Sequence, residues 1–181
     1  MIDNFSRRIL AWRVAERFSP ASTASILLEA SKGAVGSDDT PVGSDDTPVV
    51  MADAGIENVN GTVDELVDRG LLRRVLAYTE LKFSNSMIEA WWRSLKHQWL
   101  FLHSLDAAAT VRRLVEFYVQ QHNAVLPHSA FPGQTPDEMY FGTGGNVPNE
   151  LAERRSTALQ VRFELNRSAA CEFCPSNEVA A

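Results

Sequence analysis

The chain predicts an α/β fold, and three observations carry that reading. Short apolar runs bounded by turn residues mark strands at Ile9–Ala15, Val49–Ala52 and Leu71–Ala77. Helical spacing fills the gaps between them, so the order is strand, helix, strand, helix, strand. The chain has 181 residues, 45% hydrophobic and 22% charged, which is enough apolar material for one globular core.

The elements follow in order. Ile9–Ala15 (ILAWRVA) is mostly apolar and suits a strand. Ser19-Pro20 punctuates the chain, with Ser19 as cap and Pro20 at the first helical position. Ala24, Leu27, Leu28 and Ala30 then recur at helical spacing. Val35–Pro41 and Val42–Pro48 are the same seven residues, VGSDDTP, in tandem. Gly, Ser, Asp, Thr and Pro make residues 35–48 a loop insert, and added loop length costs little closure entropy. Val49–Ala52 reads as a buried strand ending at Asp53. Thr62 is expected to cap a helix through Arg69, with Glu65 completing a capping box and Gly70 ending it.

From Ser84 the pattern turns helical. Ser84 or Asn85 is expected to cap a helix running through Trp99. Asp106 is expected to cap another to about Asn123, with Val111, Leu114, Val115 and Tyr118 as its apolar stripe. Pro127–Pro136 reads as loop. Residues 143–181 read as an irregular tail holding one alternating strand, Val161–Leu165, with the last dozen residues disordered.

Composition also narrows function. No apolar run approaches the ~20 residues that span a bilayer. Asp3, Asn4, Arg7 and Arg8 interrupt the N-terminal apolar stretch, so no secretory core is present and a cytoplasmic location is expected. Cys171 and Cys174 form a lone C-x-x-C, short of the four ligands of a structural zinc site. The net charge of −6 argues against nucleic acid. Four of those acids, Asp38, Asp39, Asp45 and Asp46, are confined to the duplicated insert, which weakens that objection.

Two acids are placed for chemistry. Asp53 follows a buried strand, where a carboxylate projects into a cleft. Glu89 lies one turn inside the later helix. Carboxylates that converge on Mg²⁺ or Mn²⁺ serve two-metal phosphoryl transfer. Arg93 and Lys96 fall at i+4 and i+7 from Glu89 and share its helix face. One face thus carries an acid and two cations, a layout suited to metal at one end and DNA phosphates beyond it. The plainer reading is a strand-end turn aspartate and a solvated Glu–Arg surface pair. Trp91, Trp92 and Trp99 suit either base stacking or a buried helix face.

Several ordered blocks resemble the catalytic core of DDE-type insertion-sequence transposases and retrovirus-like integrases. Ile2–Arg8 leading into Ile9–Trp12 resembles the D-x-x-S-R stretch. Ala52–Asn58 resembles the block around the second catalytic aspartate, and Asn85–Glu89 through Ser94–Lys96 the block around the catalytic glutamate. The spacing of 35 residues between Asp53 and Glu89 matches too. His122-Asn123, Pro127–Ala130 and Thr135–Tyr140 resemble the C-terminal signature, although Leu126 stands where the family often has arginine. The resemblance spans residues 1–142, taken as a partial catalytic domain.

The resemblance implies an RNase H-like core, Asp53 and Glu89 as catalytic, metal-binding carboxylates for Mg²⁺ or Mn²⁺, and Lys96 facing DNA. The expected partner is DNA, at element ends and target, with a homo-oligomer allowed. In the family the first catalytic aspartate lies on a strand upstream of D-x-x-S-R. Asp3 is therefore not that acid, and the core is expected to lack its first, central strand. Unpaired strand edges would then cost ~1–3 kcal/mol per buried group, against a domain's ~5–15 kcal/mol. The expectation is an inactive, poorly folding remnant of a DNA strand-transfer enzyme. The alternative is a non-catalytic nucleic-acid-binding module that keeps part of the fold.

Overall fold

The computed structural model describes residues 1–17, 19–34, 47–77 and 86–172. Most of the duplicated insert, the Ser84/Asn85 cap and the side chains of Cys171 and Cys174 lie outside them. The described chain is mixed α/β, with six α-helices and a two-stranded parallel sheet.

Helix α1 (Pro20–Ala34) starts where the proline predicts. Proline lacks the N–H that a first turn leaves unpaired, and the Ser19 carbonyl accepts from Ser22 N at 2.9 Å. Strand β1 (Val49–Ala52) leads through helix α2 (Gly61–Asp68) to strand β2 (Arg73–Leu76). The strands pair from Val49↔Arg73 to Ala52↔Leu76. Ala24, Leu27, Val50, Val63, Leu66 and Leu72 form a core beneath one sheet face. On the other face Val49 and Met51 are exposed.

The cap of α2 is Asn60, not Thr62. Asn60 Oδ1 accepts from Thr62 N and Val63 N, both at 3.2 Å. Glu65 instead pairs with Arg69 across one exposed turn. Gly70 ends the helix as expected. With φ at +71° it closes a paired terminus, its N–H reaching Val67 O while Leu71 N reaches Leu66 O.

The strand expected at Ile9–Ala15 does not form. Ile9 makes a single antiparallel bridge with Ile2. Leu10 N donates to Met1 O, and the Met1 amine donates to Ala11 O. Among the described residues no further strand runs beside residues 12–15. The apolar run is nevertheless used for burial: Ile9 and Ala11 are buried and Trp12 and Val14 pack on a second core.

That second core belongs to helices α3 (Ser86–Gln98) and α4 (Ala108–Gln120), through Trp91, Leu95, Val115 and Val119. A 3₁₀ turn (Leu100–Leu102) joins them, and a π-helical turn (Gln121–Val125) continues α4. Asp106 does not cap α4. The cap position is Ala107, without a side-chain bond, and Asp106 accepts from the Ser104 hydroxyl.

Helix α5 (Pro136–Tyr140) carries a full capping box between Thr135 and Glu138. The expected irregular tail is also corrected: Val147–Glu172 is one helix, α6, and Val161–Leu165 lies inside it. Leu, Ala, Gln, Glu and Arg around that segment favour helix, which outweighs five alternating residues. Among the described residues no helix is long and apolar enough to cross a membrane.

Candidate nucleic-acid interface on α3

Asp53 sits just past β1, exposed to solvent. Its Oδ1 accepts from Asn58 Nδ2 at 2.7 Å and from Gly55 N at 3.2 Å, which folds the following loop back over the carboxylate. The residue lines a cleft of about 340 Å³ between the two cores, with β1 on one wall and Ile88, Trp91 and Trp92 of α3 on the other.

Glu89 is placed differently. It opens a surface pocket of about 490 Å³ lined by Glu89, Trp92, Arg93, Lys96 and His97. The three residues expected to share a face therefore do so. The apolar seam opposite, Ile88, Trp91 and Leu95, is anchored in the α3–α4 core and turns that face outward. Among the described residues Asp53 and Glu89 line no common pocket. Trp92 lines both and stands between them.

The donor chemistry of these acids suits a hard cation. Mg²⁺ is commonly held by one or two carboxylates with substrate phosphates completing its shell. Among the described residues no three His, Cys, Asp or Glu side chains gather as a metal-binding group.

Asp3 has a turn role. Its Oδ2 accepts from Ser6 N at 2.7 Å and from Ser6 Oγ at 2.6 Å. The resulting hairpin is clamped to α5 and to the π-helical turn. Arg8 Nε meets Asp137 Oδ1 at 2.6 Å, and His122 Nε2 lies 2.8 Å from Arg7 O. Sequence reasoning weighed Trp92 for base stacking but missed that it and His97 share the Glu89 pocket, although i+3 and i+8 from Glu89 fall on its face. The pairing of Asn123 with the Ile9 backbone had no local signal.

No protein-family model matches the chain. It is 26% identical over 146 residues to an uncharacterized protein of insertion element IS136 from Agrobacterium fabrum, covering 75% of this chain and 69% of that protein. An uncharacterized IS136 protein from Agrobacterium tumefaciens matches with the same figures. The chain is thus similar to proteins of an insertion element. The α3 face and the Asp53 cleft share Trp92.

Proposed function

We propose that this chain acts on DNA in the movement of an insertion element, through an RNase H-like, DDE-type phosphoryl-transfer centre. Asp53 and Glu89 are two of its metal-binding carboxylates, and Arg93 and Lys96 contact DNA phosphates. The observation that carries the reading is the single outward face of α3 holding Glu89, Arg93 and Lys96 around one pocket. The insertion-element relatives support it independently. A bound Mg²⁺ or Mn²⁺ would activate the attacking oxygen and stabilise the leaving one. The chain's own part is positioning: Arg93 and Lys96 hold the backbone while the two acids supply hard oxygen donors.

A second reading is a DNA-binding module without strand-transfer chemistry. The separation of Asp53 and Glu89 into different pockets favours it.

One experiment separates the two. The purified chain is mixed with labelled duplex DNA and with supercoiled plasmid, in Mg²⁺ or Mn²⁺. Metal-dependent nicking that Asp53→Asn and Glu89→Gln each abolish supports the catalytic centre. Binding without nicking supports the module. Arg93→Ala and Lys96→Ala should each lower the salt slope of binding by about one. Absence of binding at low salt would overturn both readings.

A further inference from the structure

The chain has four tryptophans, and three of them are accounted for by packing. Trp12 packs on the α3–α4 core and Trp91 is buried in it. Trp99 donates from Nε1 to Leu114 O at 2.9 Å and stacks on Phe117 with ring centroids 5.1 Å apart. Trp92 is the exception, 42% exposed.

Its surroundings are charged. The Lys96 ammonium lies over the Trp92 ring, 5.8 Å from its centroid. Arg93 and His97 share the same pocket, while Asp53 shares the cleft on the other side. The Trp91 ring meets Trp92 edge-on at 5.3 Å, so a buried residue braces the exposed one. A braced aromatic face under a cation suits a ligand with a flat π-system and an attached anion. A nucleotide has both. In a duplex the base faces are already stacked, so the complementary ligand is unpaired DNA.

We propose that Trp92 is a stacking platform for one unpaired base, and that Lys96 leaves the ring to take that nucleotide's phosphate. The inference rests on the DNA-binding reading and narrows it. It assigns α3 a preference for a melted or single-stranded segment, held between the Glu89 pocket and the Asp53 cleft. Trp92 acts here as a binding residue rather than a catalytic one.

The test uses the full chain and two fluorescent strands of about twelve nucleotides, one of thymidines and one abasic, with equal phosphate charge. The wild-type chain should bind the base-bearing strand about ten-fold more tightly. Trp92→Ala should abolish that difference, and Trp92→Phe should keep most of it. Lys96→Met should weaken both strands alike and reduce salt dependence. Thermal melts establish that each variant is folded, and Trp92→Phe keeps the test decisive if the alanine variant is not. If folded Trp92→Ala retains the base preference, or the wild type has none, stacking is overturned while DNA binding stands. If neither strand binds at low salt, the DNA reading itself fails and the platform with it.

Discussion

Asn123 holds both backbone polar groups of Ile9. Its Oδ1 accepts from Ile9 N at 2.9 Å, and its Nδ2 donates to Ile9 O at 3.0 Å. Both residues are buried. The amide thus completes, from the π-helical turn, the pairing that a neighbouring strand would otherwise give Ile9. Asn123→Ala leaves a buried N–H and a buried C=O without partners, at ~1–3 kcal/mol each. The expected loss is about 2–4 kcal/mol of unfolding free energy, read from urea midpoints. Asn123→Asp keeps an acceptor and loses the donor, so it should also destabilise. A change under about 0.5 kcal/mol in the alanine variant would show that the contact is dispensable.

Arg8 is a stronger anchor than a surface ion pair. Its guanidinium meets Asp137 while lying 5.0 Å from the Tyr140 ring centroid and 5.2 Å from that of Phe141. Lysine has neither the planar fork nor the stacking surface. Arg8→Lys should therefore cost about 1 kcal/mol and Arg8→Ala about 1–2 kcal/mol. The Glu65–Arg69 pair is exposed on both sides, and Arg69→Ala should cost less than about 0.5 kcal/mol. Denaturant melts of the three variants check the order. Equal losses at Arg8 and Arg69 would refute it.

Gly133 controls how α6 leaves the body of the protein. Its φ is +107°, and a Cβ there would stand 2.1 Å from Leu151 Cδ1 in the first turns of α6. Side-chain movement alone cannot relieve the backbone strain. Gly133→Ala should cost about 1–3 kcal/mol. It should also raise amide exchange in residues 147–151 ahead of the α3–α4 core. Unchanged exchange there would mean that α6 is seated independently of this contact.

The elements legible in the sequence are those with local punctuation. Pro20 marks the start of α1, Gly70 the end of α2, and the Val49–Ala52 run between polar flanks gives β1. The shared face of Glu89, Arg93 and Lys96 follows from helical periodicity alone. The Thr135–Glu138 box was equally local, so α5 was readable in principle. Other features depend on distant chain. Ile9–Ala15 has strand character, but a strand needs a neighbour, and Ile9 finds Asn123 at 114 residues' separation instead. The spacing of Asp53 and Glu89 is visible in the sequence. Their placement in separate pockets around Trp92 is set by how α3 packs on the N-terminal segment, which no local pattern encodes. Asn60 displaced Thr62 as a cap because its amide oxygen reaches two N–H groups at once.

His122 makes stability depend on pH. Burial lowers its pKa, with the Arg7 carbonyl bond and the charge of Asp137 acting in the opposite direction. His128 is lowered as well, first by burial and then by the positive charges of His122 and Arg7. The two rings lie 5.8 Å apart, so protonating one discourages the other. In both cases the folded state holds its proton less tightly than the unfolded chain. As pH falls through the ordinary imidazole value of 6.5, the unfolded chain gains protons that the folded state resists. Burial also lowers the Met1 amine from 8.0 to about 6, so stability should begin to fall below about pH 8 and fall more steeply from about 6.5 as the two imidazoles follow, before carboxylates titrate. His122→Gln keeps a donor for Arg7 O and removes the titrating ring, so its profile should be flatter over that window. Urea midpoints from about pH 7.5 to 5.5 decide the matter. A wild-type profile that stays level or rises on acidification, or a glutamine variant with an unchanged slope, would remove His122 as the source.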